Sequence, residues 1–198
     1  MSPPPAFRTD RRPGLVICAY DPKDTAWDPV EDLSGTPWSP QGARTISVPG
    51  ADPEALAASL SDHLSDPDCR GILLIGRTHR SDSFQVQMRA ENRALNGGAK
   101  LSSTSPATAR VTAPVADMIR ALHEAGIEAS ASSDGEEDAG SYLLYSILNG
   151  LPDGVDAPAI GLLRAPAHMS AAELNKGARI VASAVARHLA PLSRTFSA

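Results

Sequence analysis

The stretch CRGILLIG, residues 69–76, is the strongest candidate for a buried strand in the chain. A short, nearly unbroken run of aliphatic residues between polar turns reads as a strand buried on both faces. Such strands occur in parallel sheets that are covered by helices. The run is far too short to cross a bilayer as a helix. GLVICAY (14–20), after a Pro-Gly break, is a second strand of this kind, and RTISV (44–48) is a third candidate. Between RTISV and the opening stretch lies ADPEALAASLSDHLSD (51–66), which reads as a helix. Asp52 is its N-cap, Pro53 stands in its first turn, and Leu56, Leu60 and Leu64 repeat at helical spacing.

Downstream the same alternation continues. SFQVQMRAEN (83–92) alternates apolar with polar residues and predicts a strand with one exposed side, followed by a loop over 96–105. A helix is expected from Ala113, with Val115, Met118, Ile119 and Leu122 inward and Gly126 as its stop. IEASAS (127–132) gives a strand, SSDGEEDAGSYLLYSILNG (132–150) an acidic turn and a helix, and PAIGLLRAP (158–166) a strand ended by Pro166. SAAE (170–173) is a capping box that opens a last helix with Leu174, Ile180, Val181, Val185 and Leu189 inward. This order predicts an α/β fold, a three-layer α/β/α sandwich around a mainly parallel or mixed central sheet. A single domain over 1–198 is expected, with 1–12 and 192–198 as loose ends rich in Pro, Arg and Ser.

Composition narrows the function. A formal net charge of −5 and the absence of a basic stripe argue against nucleic acid as partner. No apolar run is long enough for a membrane span and the N-terminus lacks a signal-peptide core, so a cytoplasmic protein is the expectation. Cys18 and Cys69 fall in or beside strands and read as small buried hydrophobes in a reducing compartment. No Cys or His spacing suits a metal site, and neither metal nor cofactor is expected.

In an open α/β sheet the site lies beyond the carboxyl ends of the strands. The loops to inspect therefore follow Ile17, Ile75 and Leu163 or surround Gly135. The last of these, a Gly-rich acidic turn running into a helix N-terminus, is a natural seat for an activated nucleophile, because the unpaired N–H groups and the helix dipole stabilise negative charge there.

Taken together, CAYDPKDTAWDPV (18–30), GRTHRSDSFQVQMRAEN (76–92), SPATARVTAPVADMIRALHEAGIEASAS (105–132), the acidic turn and its helix, and LLRAPAHM (162–169) resemble the pyroglutamyl peptidase I family, the pyrrolidone carboxyl peptidases. The resemblance runs from about Gly14 to about Val185 and is best over Pro114 to Ser132, with its EAGI at 124–127. The family's first loop, Gly-Phe-x-Pro-Phe and then Asn-Pro-Ser, is similar to Ala19, Tyr20, Asp21, Pro22 and Lys23, followed by Asp28, Pro29 and Val30. Its Gly-Gln-Ala-Gly-Gly-Arg loop falls on Gly76 to Ser81, and the Glu and Asn that follow fall on Gln87 and Asn92.

The family removes an N-terminal pyroglutamate with a Cys nucleophile, a His base and a Glu that orients the His. Aligned without gaps on the family's Leu-Phe-Tyr-Gly-Leu-Leu-His helix, LLYSILN puts Gly140 at the nucleophile. Matching DAG to the family's Thr-Ala-Gly puts Leu144 there instead. Arg164 falls at the His and Gln87 at the Glu. Gly or Leu cannot attack, Gln carries no charge to steady an imidazolium, and Arg keeps its proton at any accessible pH. The aromatic pocket of the first loop is reduced to Tyr20, with Lys23 at the second position.

The resemblance thus implies a pyroglutamyl peptidase I-like protein without cysteine peptidase activity, binding a small anion, a pyroglutamyl-like group or a protein partner. The alternatives are a hydrolase of altered chemistry and a residual pyroglutamyl peptidase. Ser141 is the candidate substitute nucleophile, with His168 or His79 as base; the competing reading of Ser141 is a helix-capping group, and of the two His residues, exposed loop positions. Glu136, Glu137 and Asp138 serve either as a cation or base site or as acids favoured by the helix dipole. Arg77, Arg80 and Arg164 are expected to converge at one end of the sheet, either to bind an anion or to pair with the acidic turn. Family members are commonly oligomeric, and Trp27, Trp38 and Tyr20 would suit the interface of a homo-oligomer.

Overall fold

A computed structural model describes residues 10–21, 23–24, 37–95, 99–151 and 156–189. Pro22, Trp27, Asp28, Pro29 and Val30 lie outside the described residues, as do 1–9 of the expected N-terminal loose end and all of the expected C-terminal one, 192–198. Among the described residues the central sheet has six strands in the order β2-β1-β3-β8-β4-β7. These are β1 (Gly14–Ala19), β2 (Arg44–Ser47), β3 (Cys69–Thr78), β4 (Phe84–Gln87), β7 (Ala129–Ser132) and β8 (Ala159–Pro166). Strands β2, β1, β3 and β8 are parallel, β4 runs antiparallel to β8, and β7 is parallel to β4. The sheet is therefore mixed and mostly parallel.

Helices α1 (Pro53–Leu64) and α3 (Ala139–Asn149) cover one face, and α2 (Val115–Glu124) and α4 (Ala171–Leu189) the other. The alternation along each strand assigns its side chains to these two layers. On β3, Ile72 and Leu74 join Leu56, Leu60, Leu143 and Leu144 under α1 and α3, whereas Leu73 and Ile75 face Met118, Leu122, Val181 and Val185.

Local signals act as expected. The Asp52 carboxylate accepts from the N–H of Ala55, and Ser170 and Glu173 cap α4 reciprocally, with Ser170 N donating to Oε2 at 3.1 Å and Glu173 N to Oγ at 3.3 Å. Helix α2 ends where Gly126 takes a φ of 73°, the left-handed conformation that favours glycine.

One expectation needs correction. The alternating 83–92 stretch is not one strand: the main sheet keeps β4 only, and after Met88 the chain turns away to form β5 (Arg89–Glu91), paired antiparallel with β6 (Thr108–Arg110) in a separate two-stranded sheet. The reason is that β4 is held at its end by β7, where Met88 N donates to the Ser132 carbonyl at 2.8 Å, while α3 packs against β5 and β6. As expected, β8 ends at Pro166, which pairs with Thr78 at the last position of the ladder.

Among the described residues no helix is long and apolar enough to cross a membrane. Both cysteines are free and buried, and burial pushes the Cys18 thiol up to about 11, which makes it a poor thiolate source.

Candidate functional site

The carboxyl ends of β1, β3 and β8 meet the N-terminus of α3 on the α1/α3 face of the sheet. Arg164 points there from β8, because Leu162 two residues earlier belongs to the same layer. Its guanidinium is 1% exposed, and every edge of it has a partner. Nη1 donates to Gln87 Oε1 at 2.7 Å, and Nη2 donates to Asp138 Oδ1 at 2.8 Å and to Ser141 Oγ at 2.9 Å. Nε donates to Asp138 Oδ2 at 3.4 Å and lies 3.5 Å from Glu136 Oε1. This is a charge-assisted fork across the mouth of the sheet.

Asp138 is the residue that organises the site, and its carboxylate has two duties. As N-cap of α3 it accepts from Ser141 N at 2.8 Å, and as counter-ion it holds Arg164. Burial alone would raise its carboxyl, but the Arg164 charge and the Ser141 N–H outweigh burial and hold it below the usual carboxylate range. Burial likewise opposes the charge on Arg164, and Asp138 outweighs it, so that Arg164 stays protonated with its value raised.

Gln87 is buried and its amide is fixed by geometry. Nε2 donates to the carbonyls of Arg89 at 3.0 Å and Asp134 at 3.1 Å, leaving Oε1 for Arg164. A carboxylate at this position would face two carbonyl oxygens, so the site is built for the neutral amide. Asn92 stands farther along and ties down the 102–106 loop, donating to Ser102 O at 2.7 Å and accepting from Ser102 N at 3.0 Å.

Tyr20 closes the site. It follows β1 directly and is 5% exposed, with its ring between Gly76 of β3 and Gly140 of α3. Its hydroxyl lies 3.0 Å from both the Arg77 carbonyl and Asp138 Oδ2, and the Arg164 guanidinium carbon lies 5.9 Å from the ring centroid. Burial, reinforced by the Asp138 charge, raises the phenol and keeps it neutral.

The fold that positions these residues has close parallels among solved structures. A crystal structure of pyroglutamyl peptidase I from Bacillus amyloliquefaciens superposes with a TM-score of 0.76 at 14% identity, over 90% of this chain and 97% of that one. Pyrrolidone carboxyl peptidase from Thermus thermophilus gives 0.66 at 18% identity, over 86% and 98%, and that from Thermococcus litoralis gives 0.68 at 15%, over 90% and 94%. The chain shares their fold. No family model matches the sequence, and no curated protein does.

Within this pyroglutamyl peptidase fold the sequence candidates separate. Gly140, Ser141, Gln87, Arg164 and Tyr20 come together, whereas Leu144 lies fully buried in the core beneath α3. Ser141 is both the capping-turn N–H donor and an acceptor from Arg164; among the described residues no histidine hydrogen-bonds to it, and His79 and His168 are exposed. Arg77 shares the end of the sheet but its side chain faces the α2/α4 layer. Its Nε pairs with Asp24 at 2.7 Å, and its Nη1 donates to the carbonyls of Met169, Ala167 and Pro166 at 2.7, 3.3 and 3.4 Å. Arg80 is exposed and its side chain donates to the Gly135 carbonyl at 3.5 Å. Glu137 pairs with Arg93 at 2.9 Å, and no group of three or more His, Cys, Asp or Glu able to hold a metal occurs among the described residues.

Asp138 is the residue that reasoning from sequence missed. It was one of three acids explained equally well by the helix dipole. The signal that singles it out is its position immediately before the helix, where a carboxylate reaches the third N–H inward.

Proposed function

We propose that this chain is a binding protein built on the pyroglutamyl peptidase fold, without cysteine peptidase chemistry, and that its ligand is a small molecule taken at the carboxyl end of the sheet. The observation that carries this reading is the occupation of the place beside Gly140. On the correspondence drawn from sequence, Gly140 stands at the nucleophile, and a Cβ there would lie 2.7 Å from the Tyr20 ring. A side chain at that position and the ring exclude each other. The Gln87 amide and the Arg164–Asp138 pair complete one another's hydrogen bonding, which leaves none of these three groups free to act as a general base. The same pairing disfavours a small anion as the ligand, because it would have to displace Asp138 from Arg164.

Release of a fluorophore from an L-pyroglutamyl amide tests the reading. The purified protein is expected to match a buffer blank, and so is the Gly140→Cys, Gln87→Glu, Arg164→His variant while Tyr20 remains. Turnover by the wild type that resists thiol reagents would overturn the proposal and make Ser141 the residue to replace.

A further inference from the structure

The slot that holds the Tyr20 ring exists because two positions lack a Cβ. A Cβ on Gly76 would stand 2.0 Å from the ring's Cε1 and Cζ, and one on Gly140 would stand 2.7 Å from Cε1. At the inner end of the slot, the Arg77 carbonyl and Asp138 Oδ2 both lie 3.0 Å from the phenolic oxygen. Both are acceptors only, since a carbonyl carries no proton and Arg164 keeps Asp138 ionised. A phenol has a single proton to give, so it satisfies one of these oxygens and turns a lone pair toward the other. A primary amine on a planar ring carries two N–H donors and satisfies both.

We propose that Tyr20 is a displaceable internal occupant of this slot, and that the slot takes a planar ring bearing a primary amine. This rests on the reading above that the site binds without catalysis. The latch is the Arg77–Asp24 pair at 2.7 Å, both side chains partly exposed, which ties the segment after Tyr20 to β3. Release of that pair allows the ring to leave, and the ligand's apparent affinity falls by the fraction of molecules in which Tyr20 is out.

The test is calorimetric titration with 4-methylaniline, which is the tyrosine side chain with NH2 in place of OH, beside 4-methylphenol and toluene. Tyr20→Ala is expected to bind 4-methylaniline about tenfold more tightly than 4-methylphenol, the usual effect of one added hydrogen bond to a charged group, and toluene more weakly than either. Wild type is expected to bind 4-methylaniline saturably but more weakly than Tyr20→Ala, with Asp24→Asn between them. Equal binding of the amine and the phenol overturns the assignment of ligand class. Absence of saturable binding by the wild type up to the solubility limit of 4-methylaniline, where Tyr20→Ala binds, overturns displacement. If Tyr20→Ala does not fold, tighter binding by Asp24→Asn than by wild type supports the proposal, and equal or absent binding overturns it. Hydrolysis of the pyroglutamyl amide would overturn the non-catalytic reading whatever the titrations show, whereas absence of both hydrolysis and amine binding would overturn only the slot.

Discussion

The two faces of the sheet each receive an aromatic ring in a notch made by glycine, and they use it differently. Under α4, a Cβ on Gly177 would stand 2.4 Å from Phe84 Cζ, and Phe84 is buried in the apolar cluster that also holds Met118, Leu122, Leu174 and Val181. Under α3, Gly76 and Gly140 admit Tyr20, whose hydroxyl enters the network of Asp138 and Arg164. The first ring belongs to an apolar core cluster. The second stands where an open sheet places its ligands, and its far end meets fixed acceptors. The same packing device thus builds a core on one face and a shaped, polar-ended slot on the other.

The strongest way to break this comparison is to remove the charge that separates the two faces. Arg164→Met leaves Asp138 buried without its counter-ion, and the expected loss is about 3–5 kcal/mol in urea unfolding. No single truncation in the apolar layer produces the pH behaviour that goes with it. The folded-state carboxyl of Asp138 is depressed, so in wild type its stabilisation is present above the unfolded carboxylate value and is lost as pH falls through the folded one. In Arg164→Met that counter-charge no longer opposes burial, so the carboxyl moves up from its wild-type position and less stability is lost on acidification. Parallel pH profiles for the two proteins would show that Arg164 does not hold Asp138 ionised.

The layers were legible because burial writes itself into composition. CRGILLIG, GLVICAY and PAIGLLRAP are apolar on both faces and form the parallel centre of the sheet, β1, β3 and β8. The break after Met88 was not legible, since period-two alternation says nothing about which partner a strand pairs with, and β5 keeps the alternation while changing sheets. At the site, the four loops followed from architecture, and Arg164, Gln87 and Gly140 as their shared contents from the family resemblance. The insertion of Tyr20 did not. It depends on glycines far apart in sequence, and a glycine in a strand or helix start gives no sign of what fills the space it leaves.

A second pair of substitutions sharpens the contrast. Gly177→Ala and Gly76→Ala each place a methyl group against a ring, and overpacking is expected to cost about 1–3 kcal/mol in either case. The double variants separate them. In Gly76→Ala the ring sits at the rim and leaves the slot, so adding Tyr20→Ala changes stability little further. In Gly177→Ala the ring has nowhere to go, and adding Phe84→Ala empties part of the core and lowers stability again. Similar increments from Tyr20→Ala and Phe84→Ala would mean that both rings are core.

The smallest effect discriminates best between the two notches. Tyr20→Phe removes a hydroxyl that faces two acceptors with one proton, so the hydrogen bond lost is partly offset by relief of the unsatisfied contact, and the expected cost is about 0.5–1 kcal/mol. Phe84→Tyr, the mirror change, buries a hydroxyl within the apolar cluster that holds Phe84, at about 1–3 kcal/mol. The Tyr20 hydroxyl also helps to hold the Asp138 carboxyl down, so Tyr20→Phe moves the acid midpoint of unfolding upward, though less than loss of Arg164 would alter it. Thermal unfolding of both variants between neutral and acid pH reads all of this at once. A Tyr20→Phe cost larger than that of Phe84→Tyr would mean that the phenol is the preferred occupant of its slot, and would remove the reason for a two-donor ligand to replace it.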